Sequence, residues 1–496
     1  MAEKFFWADK IADDIIKQRG NKKEYICASG ITPSGQVHIG NFREVITTDL
    51  VVKALEAKGK KVKFVYSWDD FDRFRKVPLG VLKDYEKYIG MPVSDVPSPF
   101  KDKTSYAEHF EKQFESSLKK VGIKPTFIRQ SLMNKKCTYA KLIKQALEKT
   151  EEIKTILNKF RKEPLAKDWY PLTIYCEKCK KDFTKVLSVE GYKIEYECKC
   201  GYNGKFDFSK KGIVKAPWRV DWPMRWKYEG VDFEPGGIDH SVQGGSFTTG
   251  KVISKEVFDF NAPLYVFYDW VKIKGGKEFS SSTGNALSLD DVEEVYEPEI
   301  LRYLFVGTKP KTGFQISFDN DVIKIYEDYD ELERKYFDGK LNSQEKRIYE
   351  LSQIKIPKTK PEKLSFRHLV TLVQIGKLED LNKESLFRAK KVKNWLNKHA
   401  GEDMKFEIQT KINTTFADKE KKALIELRKA LELKKYSEED LFNVFYEICQ
   451  SVDIKNTDFF KAVYLTIIGK EKGPRLASLI LTVGKERVIN LLKQIK

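Results

Sequence analysis

No apolar run in this chain approaches the ~18 residues that a membrane-crossing helix needs, which argues against a membrane partner. The first twenty residues lack the long apolar centre of a secretory signal. They carry Asp9, Asp13 and Asp14, which a transit peptide avoids, so a cytoplasmic protein is expected. Cysteines number seven, an odd count with four of them clustered. That argues against a disulfide framework and for reduced thiols with a metal role. Methionines are only five amid abundant Lys, Glu and Ile, as in proteins from warm or AT-rich sources. No repeat or low-complexity tract is present. Acidic residues fall short of basic ones, 73 against 91, and the net charge of +18 favours polyanion partners through counterion release. A solvated Lys/Glu-rich surface would give the same excess. The 496 residues suffice for two to four domains and a sizeable core.

What is there begins with Pro33-Ser34-Gly35-Gln36-Val37-His38-Ile39-Gly40-Asn41. This stretch lies between the apolar Tyr25-Ile26-Cys27-Ala28 and a helical pattern, Phe42, Val45, Ile46, Leu50, Val52 and Leu55, closed by Gly59. A small turn entering a helix N-terminus presents backbone N–H groups and the positive end of the helix dipole to an anion. Gly40 lets a phosphate approach the backbone. His38 can donate a hydrogen bond to an oxygen on which charge is building. An alternating strand from Lys61 to Ser67 follows and empties into Trp68-Asp69-Asp70-Phe71-Asp72. Strand, turn, helix and strand predict the ligand-binding edge of an open α/β sheet. A tight turn serving folding alone would use the same glycines and proline.

His38-Ile39-Gly40-Asn41 resembles the HIGH motif of class I aminoacyl-tRNA synthetases and differs only at its last position. The wider Ser29-Gly30-Ile31-Thr32-Pro33-Ser34-Gly35, with Phe42-Arg43-Glu44-Val45 after it, is similar to the class I lysyl-tRNA synthetases in particular. The resemblance implies an α/β protein. It would have a Rossmann-type nucleotide-binding catalytic domain, an inserted helical and zinc-ribbon region, and a C-terminal all-α domain.

Cys176-Glu177-Lys178-Cys179 is separated by eighteen residues from Cys198-Lys199-Cys200. Two close thiol pairs flanking a hairpin-length insert read as a zinc ribbon. Four thiolates, Cys176, Cys179, Cys198 and Cys200, would close a tetrahedral structural site. Val186–Val189 and Tyr192–Tyr196 are expected as its strands, turning at Gly191. Surface thiols without metal are the alternative. Cys27, Cys137 and Cys449 read as core residues. Similar zinc modules interrupt the catalytic domain of the resembled family.

Further on, Glu234-Pro235-Gly236-Gly237-Ile238-Asp239-His240 offers bare backbone for a ligand to stack on, with Asp239 able to accept from a ribose. Trp218-Arg219-Val220-Asp221-Trp222-Pro223-Met224-Arg225-Trp226 reads as a loop with three tryptophans. It is either a packed aromatic cluster or a wall for the stem and ammonium of a lysine substrate. Leu264 to Val271 is expected as a buried strand carrying Tyr268 into the amino-acid pocket, with Tyr265 as the alternative. Lys277-Glu278-Phe279-Ser280-Ser281-Ser282-Thr283-Gly284-Asn285 stands where the family has its KMSKS loop. Ser280, Ser282, Gly284 and Asn285 agree with that pattern; Glu278, Phe279 and Thr283 depart from it. The usual loop lysines neutralise the triphosphate. Here Lys277 swinging on Gly275-Gly276 would fill the gap, unless activity is reduced or amino-acid activation is lost.

Four segments are expected. Residues 1–72 are the first half of the catalytic domain, and 73–212 an insertion with the ribbon at 170–207. Residues 213–312 are the second half, ending in a linker at 309–313, and 313–496 are helical. Within the insertion, helices are expected over 106–118 and 139–160. In the tail, Phe366, Leu369, Val370 and Val373 form one apolar stripe, and Leu441, Val444, Phe445, Ile448 and Cys449 form another behind a Ser437/Asp440 cap. An anticodon-binding role for the tail is implied by the resemblance alone.

The resemblance thus implies ATP-dependent attachment of L-lysine to tRNA(Lys) through a lysyl-adenylate, by a monomer using Mg-ATP and a structural zinc. His38, Asn41, Lys277, Ser280, Ser281 and Ser282 would be catalytic. ATP would meet Pro33, Ser34, His38, Gly40, Asn41, Gly236, Gly237, Asp239, Ser281 and Thr283. Lysine would meet Gly30, Thr32, Asp69, Trp222, His240 and Tyr268, with Asp69 or another carboxylate facing an ammonium group. The rivals are a synthetase for glutamate, glutamine or cysteine, and an RNA-binding paralogue without amino-acid activation.

Overall fold

The computed structural model describes residues 6–77, 81, 83–275 and 287–495. Among them no helix is long and apolar enough to cross a membrane. The chain divides into two compact units. The first comprises the described residues of Met1–Glu293, Pro298–Ile316 and Leu341–Ile356, and the second those of Glu294–Glu297, Ser317–Lys340 and Pro357–Lys496.

The first unit is built on a five-stranded parallel sheet. Strands β1 (Tyr25–Ile31), β2 (Val62–Trp68), β3 (Thr126–Arg129), β4 (Phe233–Gly237) and β5 (Leu264–Tyr268) stand in the order β5-β4-β1-β2-β3. β1 and β2 pair along their whole length, Tyr25 against Val62 through Ile31 against Trp68. A side chain at Gly30 would put its Cβ 2.6 Å from the Ser67 carbonyl oxygen, so this pairing requires glycine there. The chain builds outward from β1 to β3, then returns to β4 on the other flank of β1. Such a reversal opens a crevice at the strands' carboxyl ends, where ligands of open α/β sheets bind. The strand expected over 264–271 stops at Tyr268 and is half-buried rather than buried, because β5 is the sheet edge.

Helix α1 (Ile39–Ala57) packs between the sheet and the rest of this unit, with thirteen of its nineteen residues buried. Its polar residues serve that burial. Asp49 accepts from the buried Arg302 guanidinium at 2.6 Å, and Arg302 also donates to the Leu351 and Val121 carbonyls. Arg43 donates to the carbonyls of Lys309, Pro310 and Thr312 at 2.7, 3.2 and 3.2 Å. Residues 309–313, expected as a linker, are therefore a loop pinned to α1.

In the insertion, the Ser105 hydroxyl caps the helix Tyr106–Lys120 by accepting from the Glu108 N–H at 3.1 Å. The helical stretch expected over 139–160 consists of two helices, Ala140–Glu148 and Thr150–Asn158, which meet at Lys149. Three antiparallel strands, Thr184–Glu190, Lys193–Cys198 and Asn203–Asp207, follow Cys176 and Cys179; the second ends at Cys198, Cys200 lies in the turn after it, and Gly191 sits at φ 61° in the first turn.

The second unit is helical. Leu424, Leu427, Leu441, Phe445, Phe459, Val463, Leu479 and Ile480 form its core. The Ser437 hydroxyl accepts from the Asp440 N–H at 3.1 Å at the start of helix Glu438–Val452. In helix Phe366–Ile375 the buried set is Phe366, Leu369, Val370, Thr371 and Leu372; Val373 is half-buried.

Candidate active site

A cleft of about 360 Å³ opens at the carboxyl ends of β1 and β4. Gly30, Thr32, His38, Gly40, Asn41 and Asp69 reach its wall from the first half of the sheet, and Gly237, Asp239, His240 and Tyr268 from the second. Residues two hundred positions apart in sequence thus share one surface. Pro33 is buried beside the cleft, outside its lining. Ser34 is exposed, its carbonyl accepting from the Tyr106 hydroxyl at 3.1 Å. Gly236 lies behind the wall, where an added Cβ would meet the Tyr265 hydroxyl at 2.7 Å.

His38 caps α1, and Asn41 Oδ1 accepts from its backbone N–H at 3.3 Å. Burial lowers the His38 imidazole below its ordinary range, so at pH 7 the ring is neutral, with one N–H to donate. The Ile39 N–H donates to the Leu287 carbonyl at 2.9 Å, and His38 bridges Ser288. Lys277, Glu278, Phe279, Ser280, Ser281, Ser282, Thr283, Gly284 and Asn285 lie outside the described residues.

The carboxylates of the cleft divide by partner. Asp69, expected to face an ammonium of the substrate, is instead held by the buried Arg225 guanidinium at 2.7 and 3.3 Å. Arg225 also donates to Ser67 Oγ at 2.7 Å and lies 3.2 Å from Asp221. Asp72 pairs with the buried Lys215 ammonium and accepts from Thr32 Oγ1 at 2.7 Å. Glu44, on the inner face of α1, differs from these. It lines the cleft and accepts from the Gly30 N–H at 2.9 Å and the Tyr268 hydroxyl at 2.8 Å, both uncharged donors. Burial, together with the neighbouring Glu234 and Asp69 carboxylates, pushes its carboxyl up to about 8. The sequence reading missed Glu44. Its signal was a lone carboxylate among Phe42, Val45 and Ile46 on a helix beginning at the phosphate-type turn.

The tryptophan segment, expected as a loop, is helix α2 (Trp218–Glu229), with Pro223 inside it. Trp218, Trp222 and Trp226 fall at i, i+4 and i+8 along one face, Trp218 stacked on Trp222 at 5.0 Å and 15°, and Trp222 meeting Trp226 at 4.8 Å with the rings tilted by 54°. Trp218 forms the cleft wall, and Trp222, the residue expected there, is buried behind it. Arg225 lies 5.4 Å from the Trp218 ring and His240 5.5 Å from that of Trp222, so both sides of the stack are fixed. Tyr268 lines the cleft. Tyr265 does not: it stacks on Phe247 at 3.7 Å and donates to the Gly237 carbonyl at 3.2 Å.

Away from the cleft, the sulfurs of Cys176, Cys179, Cys198 and Cys200 all lie within 4.8 Å of one another. Two of the separations, Cys176–Cys200 at 3.7 Å and Cys179–Cys198 at 3.6 Å, match the edge of a tetrahedron with metal–sulfur bonds of ~2.3 Å. Cys27 and Cys449 are buried, and Cys137 is half-buried.

Comparison with known proteins agrees with this geometry. A family described as tRNA synthetases class I (K) matches residues 5–355, and an anticodon binding domain matches 374–496. The chain is 44% identical to a lysine–tRNA ligase of Borrelia garinii subsp. bavariensis, over 97% of each chain. It is 41% identical to one of Treponema pallidum, over 98% of each. It is 40% identical to one of Pyrococcus horikoshii, over 98% of this chain and 99% of that one. With that likeness along nearly its full length, and with the His38 turn and the Gly237–His240 segment meeting at one sheet edge, the chain belongs to the class I (K) tRNA synthetases.

Proposed function

We infer that this chain joins L-lysine to tRNA(Lys) at the expense of ATP. The lysine carboxylate attacks the α-phosphorus of Mg-ATP in line and releases pyrophosphate. A ribose hydroxyl of the tRNA's terminal adenosine then attacks the adenylate carbonyl and releases AMP. Such chemistry needs positioning and charge stabilisation rather than a nucleophilic side chain. The triphosphate lies on the α1 N-terminus, with Gly40 giving backbone access and neutral His38 and Asn41 donating to its oxygens. Gly237 and Asp239 face the adenosine. Ser281, Thr283 and Lys277 act on the triphosphate from the Ser-rich segment, whose next described residue, Leu287, is bonded to Ile39.

The observation that carries the choice of lysine is Glu44. Asp69 and Asp72 already have buried cations, whereas among the described residues Glu44 has only neutral donors, and it faces the cleft. A carboxyl pushed up by burial is regained as an anion when an ammonium docks against it. Trp218 and His240 flank the aliphatic stem, and Tyr268 orients Glu44. A glutamate substrate would find a carboxylate where it needs a cation. Arg225 is occupied by Asp69 and Asp221, and Arg75 stands exposed at the rim.

Zinc fits the ribbon, because the four sulfurs lie within 4.8 Å of one another and two of their separations match a tetrahedral edge. When bound it would crosslink the two thiol pairs and hold the hairpin between them. The second unit meets the anticodon. The cytoplasm, which keeps thiols reduced, is the compartment for this reaction. Charging of a tRNA pool with labelled lysine in the presence of ATP tests the function. Acid-precipitable lysine that disappears when ATP is omitted is the expected result; label from glutamate instead would overturn it.

A further inference from the structure

The base of the cysteine ribbon is tied to the loop that follows β2. The ribbon stands on two short antiparallel strands, Thr173–Ile174 and Val214–Lys215. Beside the first, the buried Tyr175 donates its hydroxyl to the Phe71 carbonyl at 2.8 Å and packs edge-on against the Phe71 ring at 5.0 Å. On the second, the Lys215 ammonium, 5% exposed, pairs with Asp72 and lies 3.9 Å from Asp221. Within the ribbon, Asp182 faces Arg73 at 3.5 Å. Phe71, Asp72 and Arg73 are consecutive, so three ribbon side chains grip three neighbouring residues. Asp72 in turn holds Thr32 Oγ1 at 2.7 Å, and both residues line the cleft.

We propose that Lys215 is a positioning residue for the amino-acid end of the cleft: it holds Asp72, which fixes Thr32, and through this link metal binding in the ribbon sets how tightly the amino acid is held. The proposal rests on the reading of the cleft as a lysine site. Asp72 is half-buried at the cleft wall, and its carboxylate keeps its place against Thr32 while the buried Lys215 charge matches it. Without Lys215, Asp72 turns toward water or the open cleft and Thr32 loses its acceptor. Tyr175 directly precedes Cys176, so four thiolates no longer drawn together by a metal release the Tyr175 foot as well. Thr32 borders the His38 turn, its carbonyl accepting from the Ser34 N–H at 2.8 Å, but the Lys215–Asp72 pair that this path perturbs lies on the amino-acid side, so ATP binding is expected to change far less than lysine binding.

Calorimetric binding of lysine and of ATP, each alone, to the full-length protein tests this. Lys215→Met is expected to weaken lysine by about tenfold, the worth of one hydrogen bond to a charged group, with ATP within about twofold. Lys215→Arg restores the pair and is expected to bind lysine within about threefold of wild type. Tyr175→Phe, which removes one hydroxyl and keeps the ring, is expected to weaken lysine by about threefold and keeps the test decisive should Lys215→Met not fold. Removing metal from wild type with a chelator is expected to reproduce at least the Lys215→Met loss, and removing it from Lys215→Met to add no more than about threefold, the share of the Tyr175 foot. Lysine binding unchanged by Tyr175→Phe and by chelation, additive losses, or lysine and ATP weakened equally would overturn the proposal. No lysine binding by wild type would overturn the reading of the cleft itself, and the proposal with it.

Discussion

With Glu44 as the proposed partner of the lysine ammonium, lysine binding is expected to be proton-linked, with a sign and a size that follow from its surroundings. In the empty cleft its carboxyl is pushed up to about 8, chiefly by burial. At pH 7 about nine molecules in ten therefore hold the proton there. An ammonium docked against the carboxylate lowers such a group by about 1–3 units, which brings it to about 6 in the complex. Binding at pH 7 then expels about 0.8 proton. Because the empty site holds more protons than the filled one, affinity rises with pH. Between pH 6.5 and 8 lysine should bind about tenfold more tightly, while the lysine ammonium groups stay charged. Calorimetry in two buffers of different ionisation heat reads the proton count directly. Glu44→Gln keeps the Gly30 and Tyr268 contacts but cannot titrate. It should bind lysine weakly and with no pH slope in this window. A wild type that releases no proton, or a Glu44→Gln protein that keeps the wild-type slope, would refute the assignment of Glu44 to the ammonium.

His38→Ala should slow lysyl-adenylate formation by about 10²–10³, as loss of one charge-stabilising donor does, while lysine affinity by calorimetry stays as it was; unchanged pyrophosphate exchange would remove His38 from the chemistry. Asp69→Asn should lower stability by about 3 kcal/mol in denaturant unfolding, because it strips the buried Arg225 of its best partner. Unaltered stability would return Asp69 to the substrate. Cys176→Ser should lose zinc by elemental analysis and melt at a lower temperature while still binding ATP, and equal metal content in variant and wild type would count against a tetrathiolate site.

The parts of the site carried by local pattern were legible in the sequence. The turn from Pro33 to Asn41 announces strand, N-cap and helix within nine residues, and the paired cysteines announce their own hairpin. What depended on distant partners was not legible. Asp69 reads as an open carboxylate until Arg225, 156 positions later, is seen to cover it. Residues 309–313 read as a linker because Lys, Pro, Thr and Gly favour loops; only the fold brings Arg43 to their carbonyls. The tryptophan segment was misread for a different reason. Three tryptophans and two arginines in nine residues read as a loop, yet spacing by four along Trp218, Trp222 and Trp226 is helical. It also decides that Trp218, at the half-buried start of the helix, meets the cleft while Trp222 is buried behind it. The Cys176–Cys200 ribbon was visible as a cluster of four cysteines that could hold a metal, but its footing on Phe71, Asp72 and Arg73 was not, since Tyr175 and Lys215 lie more than a hundred residues from those partners.

ATP–pyrophosphate exchange with each of the twenty amino acids is the most direct measurement of whether this cleft activates lysine. Exchange supported by lysine alone, and lost in His38→Ala, is the expected result. Exchange driven by glutamate, glutamine or cysteine, or tRNA binding with no exchange at all, would contradict it.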